Sequence, residues 1–219
     1  MVENREEQLW KGRRDMCGRF YIDDDTAREI ERVIRIADEK IKRATVESGT
    51  RDIHPSDKAP VLVAGEALIA CEWFRWGFPG SRFRMLQEKT KLVINARSET
   101  VLERPMFRES ILRRRAVIPA AGFYEWNSQK ERSRFFNRNG QTVFMAGCYQ
   151  RFEDGEHFVI LTTRANNTMK PVHDRMPLLL EPEEVREWLL EDCKTEKLLH
   201  GTPRELFRTS EYSQISMFD

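Results

Sequence analysis

One cysteine of the chain lies in a local sequence that permits aldehyde chemistry. Cys17 follows Met16 and precedes Gly18, and an initiator methionine before a small residue is readily removed. Translation from Met16 would leave Cys17 with a free α-amine of pKa about 7.7–8.0 beside a thiol of pKa about 8.5. The amine forms an imine with an aldehyde, and the thiolate closes a five-membered thiazolidine on it. An internal cysteine lacks that amine and is ordinarily a small core residue, and the local sequence leaves both interpretations open.

Two short segments carry polar groups that could serve the same chemistry. In Asn95-Ala96-Arg97-Ser98-Glu99 the amide, guanidinium and carboxylate alternate, so they project from one side of an extended chain. Glu125 lies among aromatic residues, where burial would raise its carboxyl pKa and fit it for proton transfer near neutral pH. The alternatives are a solvated strand end with a structural ion pair for the first segment, and an outward-facing Glu125 for the second.

A histidine and two basic clusters are further candidates. His173 lies in an irregular polar stretch before a predicted strand, and histidine is the usual proton carrier near pH 7, although a lone histidine is more often structural. The basic clusters, with aromatic residues nearby in sequence, could bind the phosphates and bases of single-stranded DNA, or could be solvated faces. Their members are Arg82, Arg84, Lys89 and Lys91, and Arg104, Arg108, Arg113, Arg114 and Arg115.

The hydrophobic pattern predicts one α+β domain that would position these residues. A capping box at Thr26–Glu29 predicts an amphipathic helix that extends to Ile41. Strand-like runs dominate from Pro60, and hairpins are predicted at Asn139-Gly140 and Asp154-Gly155. A late helix is predicted to bury Val185, Trp188 and Leu189. Together these elements indicate a curved antiparallel sheet with flanking helices.

Composition limits the function classes. The 219 residues have a net charge of +1, so a nucleic-acid surface would have to come from local segregation of arginine and lysine. The four cysteines are far apart and form no C-x-x-C pair, which predicts that no metal is bound. The sequence shows no secretory signal and no apolar run of the roughly 20 residues that span a bilayer, which predicts a cytoplasmic protein with reduced thiols.

Five segments in this order resemble the SRAP family, the SOS response-associated peptidases. They are Met16-Cys17-Gly18-Arg19-Phe20, Trp76-Gly77, Asn95-Ala96-Arg97-Ser98-Glu99, Gly122-Phe123-Tyr124-Glu125-Trp126 and His173-Asp174-Arg175-Met176-Pro177. The resemblance runs from Met16 to about Asp192 and implies a compact α+β fold with a barrel-like sheet. It also implies a reversible thiazolidine crosslink between the N-terminal cysteine and an abasic site in single-stranded DNA or at a strand junction. The peptidase label refers to proposed self-cleavage that exposes the cysteine.

The resemblance implies roles for individual residues and a partner. Cys17 would be the nucleophile and Asn95 would position its amine or the ring. Glu125 would open the sugar to its aldehyde, with His173 assisting proton transfer and contacting the phosphate. The implied DNA contacts are Arg97 on a phosphate, Thr162 near the lesion, Trp76 as a stacking residue, and Arg19. The implied protein is a bacterial or phage-encoded monomer that associates with the nucleoid through abasic single-stranded DNA and uses no cofactor, metal or membrane.

The chain departs from the family pattern in two places. Residues 1–15 precede the motifs as an N-terminal extension, and the family domain, with a helical C-terminal tail, is predicted over 16–219. An untrimmed start at Met1 would block the Cys17 amine. The explanations are initiation at Met16, cleavage before Cys17, or a divergent protein without the activity, and the first fits best because Met16 stands where the family begins. The second departure is Asp52, where many members have asparagine. An aspartate there would oppose a nearby phosphate.

Two other function classes remain open. A module that binds single-stranded or abasic DNA without a covalent bond would share the same groove and differ only at the Cys17 amine. A cysteine peptidase that uses Cys17 with His173 would cleave other proteins while its extension is still attached.

Overall fold

The computed structural model describes residues 18–37, 49–65, 69–80 and 92–210. Three features predicted from sequence lie outside the described residues. These are the placement of Cys17, the end of the first helix at Ile41, and the basic cluster of Arg82, Arg84, Lys89 and Lys91.

The first sheet is antiparallel and has five strands in the order β15-β10-β9-β1-β2. Apolar side chains from one face of this sheet, such as Phe20, Phe123 and Phe135, enter the main core cluster. The strands are β1 (Arg19–Ile22), β2 (Arg51–Ile53), β9 (Gly122–Trp126), β10 (Arg132–Phe136) and β15 (Phe207–Ser210).

The second sheet closes into a barrel. Its order is β13-β12-β4-β3-β8-β11-β14, and because β11 also pairs with β12, the strands β12, β4, β3, β8 and β11 form a closed five-strand ring. The strands are β3 (Lys58–Ala64), β4 (Ile69–Trp76), β8 (Arg115–Ala120), β11 (Val143–Phe152), β12 (Gly155–Arg164), β13 (Arg175–Pro177) and β14 (Leu179–Leu180). The predicted α+β fold around a barrel-like sheet is therefore confirmed.

Three short strands complete the sheets. The strand β7 (Asn95–Arg97) adds to β12 in parallel, and the ring itself contains one further parallel pair, β12 with β4. The other pairings of the barrel sheet are antiparallel. The strands β5 (Phe78–Pro79) and β6 (Leu92–Val93) form a separate antiparallel pair.

Within the described residues, four α-helices cover the outside of the barrel. They are α1 (Asp24–Ala37), α2 (Pro105–Arg113), α3 (Glu184–Leu190) and α4 (Thr195–Leu199). Strand β3 shows why both barrel faces are apolar: Val61 and Val63 join the inner cluster, whereas Leu62 packs on the helix side. The predicted buried stripe of α3 is confirmed, because Val185, Trp188 and Leu189 are buried.

Local polar chemistry corrects two of the boundaries predicted from sequence. Helix α1 begins at Asp24 rather than after Thr26, because the Asp23 carboxylate accepts both the Thr26 N–H and the Thr26 hydroxyl at 2.9 Å. The hairpin predicted at Asn139-Gly140 is wrong. There, β10 ends in the first sheet and β11 begins in the barrel, and the two strands do not pair with each other. The Asp154-Gly155 hairpin is confirmed by the β11–β12 register.

The chain after α4 returns to the first sheet. Residues 203–206 lead into β15, which pairs with β10 at the edge of that sheet. In the described residues, no helix has both the length and the apolar character needed to cross a membrane.

Candidate functional site

Three of the polar segments meet at one end of strand β12. The register pairs Asn95 with Ile160 and Arg97 with Thr162 on one side of β12, and Arg175 with Arg164 on the other. The Ser98 N–H donates to the Thr162 carbonyl at 2.8 Å. The topology thus brings the Asn95–Glu99 segment, the Thr162–Asn166 segment and the His173–Pro177 segment into one corner, which we call the Arg175 corner.

Arg175 holds the corner together. Its guanidinium donates to both oxygens of Glu99 at 2.6 and 2.7 Å, and also to the Thr162 carbonyl at 2.6 Å. These hydrogen bonds hold the pKa of the Glu99 carboxyl below its usual range. Sequence reasoning did not assign Arg175 a role. The signal was present in its motif, since an arginine within a buried strand end requires a carboxylate partner.

His173 lies in a loop that the rest of the corner fixes. The His173 Nδ1 accepts the Arg175 N–H at 3.0 Å and also lies 3.0 Å from a carboxylate oxygen of Asp174. The backbone N–H of Arg175 can only donate, so Nδ1 must be the acceptor. The Asp174 side chain is 88% exposed, so solvent can replace a hydrogen bond from Nδ1. We therefore assign the neutral ring a proton on Nε2 from the hydrogen-bond pattern. In that tautomer Nε2 is a hydrogen-bond donor.

The C-terminal segment clamps the same loop. The Asn166 side chain donates to the Arg204 carbonyl at 2.8 Å and accepts the Met169 N–H at 3.1 Å. Glu205 accepts the Thr168 N–H at 3.0 Å. The backbone N–H of His173 in turn donates to the Met169 carbonyl at 3.0 Å. A chain of hydrogen bonds therefore runs from residues 204–205 to His173.

Glu125 lies on the strand beside the start of the described chain. Its side chain is 4% exposed, so of the two interpretations that the sequence left open the structure shows burial, and one oxygen accepts the Trp126 N–H at 3.2 Å. Arg19 on β1 pairs with Tyr124 on β9, so Glu125 and the buried Gly18 are each one residue beyond that pair on neighbouring strands. Cys17 is bonded to Gly18. Glu125 on β9 therefore lies beside β1, the strand that follows the candidate nucleophile in the chain.

Trp76 is a core residue, which corrects its interpretation as a stacking residue for DNA. Its side chain is fully buried, and its ring packs edge-on against Phe20 at 5.1 Å and parallel to Phe158 at 6.2 Å. The indole N–H donates to the Ile94 carbonyl at 3.0 Å. A ring held in this way has no face for a base, and it instead ties β1 to the residue before Asn95.

The other two residues expected near DNA at this corner differ in exposure. Thr162 is 4% exposed, and its hydroxyl accepts from Arg175 at 3.3 Å, so it contributes to the corner rather than to a surface. Arg97 is exposed, and among the described residues it has no ion-pair partner. A solvated guanidinium at the edge of the corner remains available to a phosphate.

Arg19 and Asp52 form an ion pair across β1 and β2. Asp52 Oδ2 accepts from Arg19 Nε at 3.0 Å and also from Nη2. The Arg19 guanidinium lies 5.3 Å from the centroid of the Tyr124 ring. The aspartate that departs from the family pattern is therefore occupied by a cation, and it reduces the charge that Arg19 could offer to a phosphate.

The basic cluster around α2 separates into exposed and structural members. Arg115 is 7% exposed and donates to the Ile111 carbonyl at 3.2 Å and to Asp192 at 2.7 Å, so its predicted contact with phosphate is wrong. It caps the carbonyls at the end of a helix instead. Arg114 pairs with Glu109 at 3.1 Å. The exposed members are Arg104, Arg108 and Arg113.

The thiols that the structure describes are poor nucleophiles or exposed surface groups. Burial raises the pKa of the Cys71 thiol to about 12 and raises that of Cys148 as well. Cys193 is exposed on the surface, in the turn before α4. Since the thiolate is the reactive form, Cys71 and Cys148 remain protonated near neutral pH. Within the part of the chain that the structure describes, no cluster of three or more histidine, cysteine or acidic side chains could hold a metal ion.

Comparison with known proteins agrees with this fold and these motifs. Residues 16–216 match the family described as SOS response associated peptidase (SRAP). The chain is 31% identical over 192 residues to the abasic site processing protein YedK of Escherichia coli, a match that covers 81% of each chain. The chain therefore belongs to the SRAP family.

Other relatives match over a smaller part of their length. The abasic site processing protein YoaM of Bacillus subtilis is 34% identical over 126 residues, which is 52% of this chain and 54% of YoaM. The HMCES protein of Xenopus tropicalis is 30% identical, and the match covers 52% of that protein. Thus the chain spans about half the length of several relatives that it matches.

Solved structures share the fold at low sequence identity. A protein from Bordetella bronchiseptica superposes with a TM-score of 0.70 at 23% identity, covering 89% of this chain and 99% of the other. A phage-related protein from the same organism gives a TM-score of 0.68 at 22% identity, covering 89% of this chain and 93% of that protein. These superpositions establish the fold alone.

Proposed function

We propose that the chain processes abasic sites by forming a thiazolidine between Cys17, as an N-terminal residue, and the sugar aldehyde of an abasic site in single-stranded DNA. The observation that carries the proposal is the buried Glu125 on β9, beside β1, because the residue that precedes β1, Gly18, is bonded to Cys17. The names of the relatives support the substrate, since YedK and YoaM are abasic site processing proteins.

The reaction begins with opening of the sugar. Glu125 takes the proton of the C1′ hydroxyl and returns a proton to the ring oxygen, so the C1′–O bond to the ring breaks and the aldehyde forms. The Cys17 amine adds to this aldehyde, and the hydroxyl leaves as water after it accepts a proton, which gives an imine. The thiolate then adds to the imine carbon, and the nitrogen takes up a proton to complete the thiazolidine. The same steps in reverse release the DNA.

The Arg175 corner supplies the remaining groups. Asn95 positions the amine or the ring, and Arg97 binds a phosphate beside the abasic nucleotide with its solvated guanidinium. His173 assists proton transfer and donates from Nε2 to the phosphate, which agrees with the tautomer that its Nδ1 contact requires. Exposure of Cys17, by initiation at Met16 or by cleavage after it, is part of the proposal.

The deciding experiment compares two forms of the protein, the full chain and one whose first residue is Cys17. Each is mixed with a single-stranded oligonucleotide that carries one abasic site, and denaturing electrophoresis with intact-mass spectrometry detects the adduct. We expect an adduct, lighter by one water than its components, only when Cys17 is N-terminal. An N-terminal Cys17 that binds this DNA without an adduct would leave a non-covalent module, and peptide cleavage by the full chain would indicate a peptidase.

Two substitutions test the residue assignments. Cys17→Ala abolishes the adduct and retains much of the non-covalent binding. Glu125→Gln, which keeps the size of the side chain, slows adduct formation and reversal by about a hundredfold or more, as expected for loss of a general acid/base. Glu153→Gln is the matched control, because Glu153 is exposed near the β11–β12 turn and should not change either rate. A Glu125→Gln protein with unchanged rates would remove Glu125 from the mechanism.

A further inference from the structure

The first sheet has an outer face that the proposed chemistry does not use. Phe20, Phe123 and Phe135 point from this sheet into the core, so their neighbours along each strand point away from it. Those neighbours are arginines and aromatic residues. We define the outer face by Arg19 and Tyr21 of β1, Tyr124 of β9, Arg132, Arg134 and Phe136 of β10, Arg138 in the following turn, and Phe207 of β15.

Guanidinium groups stack on the rings of this face. Arg134 lies 4.5 Å from the Tyr21 centroid and 5.1 Å from that of Phe136, and its Nε donates to the Tyr21 hydroxyl at 2.7 Å. Arg138 lies 4.6 Å from the Phe207 centroid, and Arg132 lies 4.9 Å from that of Tyr124. For Arg134 and Arg138, stacking orients the guanidinium plane before a ligand arrives, so ordering these two side chains costs less when the ligand binds.

The charge of the outer face is unbalanced. Arg134 and Arg138 are exposed, and among the described residues neither has a carboxylate within ion-pair distance. The acids that the described contacts place at or near this face are already engaged: Asp52 pairs with Arg19, Asp25 pairs with Arg28, and Asp23 accepts the Thr26 N–H at the start of α1. A chain with a net charge of only +1 therefore concentrates cations on this sheet. The natural ligand of such a surface is an anion that also presents flat apolar faces.

The outer face borders the strand position that carries Glu125. Arg19 and Tyr124 form one pair of the β1–β9 register, and Arg134 lies opposite Tyr124 on the far side. Glu125 follows Tyr124 directly and points to the other side of the sheet. A DNA strand that crosses this edge of the sheet beside the Arg19–Tyr124 pair would meet Tyr124, then Arg134, and then Phe136 beside Phe207.

We propose that the outer face is a second subsite for single-stranded DNA, which binds undamaged nucleotides next to the lesion. This inference rests on the proposed function and adds to it where the intact strand lies. The guanidinium edges of Arg134 and Arg138 bind phosphates, and bases stack on the Phe207 ring, which is 41% exposed, and on the outer guanidinium planes. The subsite reads no sequence, because stacking and phosphate contacts are available to every nucleotide.

The test measures binding of undamaged oligonucleotides to the full chain, so no covalent step contributes. Fluorescence anisotropy gives the affinity for a trinucleotide and for an oligonucleotide of about 15 nucleotides over a range of salt concentrations. Arg134→Gln combined with Arg138→Gln should weaken binding of the longer strand about tenfold or more. Its salt slope should fall by about 0.7 for each phosphate that the variant no longer binds. Phe207→Leu should weaken binding severalfold without a change of slope, because it removes stacking and no charge.

Matched variants keep the test interpretable. Arg151→Gln combined with Arg186→Gln removes the same charge from exposed side chains of the barrel and α3, and it should leave affinity and slope unchanged. Arg138→Gln alone, at an exposed turn, serves if the double variant fails to fold. Equal slopes for wild type and Arg138→Gln would overturn the proposal. So would equal losses in the outer-face and control pairs, which would indicate bulk charge alone.

The two proposals fail in different ways. The form that begins with Cys17 is tested in parallel for its adduct with an abasic trinucleotide, which is too short to cover the outer face. If this adduct forms equally in wild type and the outer-face variants while long-strand binding differs, both proposals stand. If the adduct is absent throughout, the reaction is wrong, and the binding slopes still decide the fate of the subsite. If the adduct forms and the slopes are equal, only the subsite is wrong.

Discussion

The arginines of the Arg175 corner and of the outer face of the first sheet differ in what their guanidinium groups contact. Arg175 has a side chain only 14% exposed and binds Glu99 and a backbone carbonyl, so its donors are committed within the protein. Arg134 and Arg138 rest on aromatic rings and, among the described residues, face no carboxylate. The partner of a guanidinium, rather than its presence, therefore separates an arginine that builds a site from one that can bind a ligand.

The largest effect should follow loss of the guanidinium in the corner. Arg175→Met keeps the length of the side chain but leaves Glu99 and the Thr162 carbonyl without their donor. Breaking charged hydrogen bonds in a partly buried pair should lower the free energy of unfolding by about 3 kcal/mol. Urea unfolding measures it. Arg28→Gln is the control, because its pair with Asp25 lies on the exposed surface, where solvent screening leaves an ion pair with little effect on stability. Equal changes in both variants would mean that the corner is not held by Arg175.

The second prediction concerns Trp76, whose ring is buried in the core. Trp76→Phe removes the hydrogen bond to the Ile94 carbonyl and leaves a space beside Phe20, so unfolding should become easier by about 2 kcal/mol. Affinity for undamaged single-stranded DNA should stay within about twofold, since a buried ring offers no face for stacking. Phe207→Leu should show the reverse pattern. A Trp76→Phe protein that loses DNA affinity but not stability would restore Trp76 as a stacking residue.

Trp76 and Arg175 also show which features of this molecule could be predicted from the sequence and which could not. Alternating apolar strands and the late amphipathic helix predicted the α+β fold, because periodicity reports which faces are buried. The segments around Asn95 and His173 could be picked out, but their meeting at β12 depends on a parallel pairing that local pattern does not encode. Trp76 was misassigned for the same reason: composition shows that a ring exists, and only tertiary packing shows which side of the sheet it faces.

The connection after β10 shows the same limit at the level of turns. Asn139-Gly140 has the residue types of a tight hairpin, and Gly140 does adopt a positive φ of 68°. The strands on either side nevertheless belong to different sheets. The residue types therefore agree with the positive φ at Gly140 but not with a hairpin, because β10 packs its aromatic residues against β9 and β15 instead of pairing with β11.

A third prediction concerns the pH dependence of the ion pair in the Arg175 corner. The Glu99 carboxyl has a lowered pKa in the fold, so its ion pair stabilises the protein fully above the unfolded pKa of about 4.3. That contribution is lost as pH falls through the folded pKa. The difference in unfolding free energy between wild type and Glu99→Gln should therefore be about 1–2 kcal/mol at pH 7 and shrink as the solution is acidified below pH of about 4. A difference that is constant with pH would show that the pair does not depend on the Glu99 charge.

The smallest effect on stability is expected when Arg134 of the outer face is replaced. Arg134→Gln removes a hydrogen bond to the Tyr21 hydroxyl and a stacked guanidinium at an exposed position, which together should change the unfolding free energy by less than about 1 kcal/mol. Because Tyr21 can still donate to the Ala121 carbonyl, at 3.3 Å, its buried hydroxyl keeps a partner. The urea midpoint should move far less than in Arg175→Met, while the salt dependence of DNA binding changes only in Arg134→Gln. A midpoint shift as large as that of Arg175→Met would make Arg134 a structural residue and reduce the outer face to a packed surface.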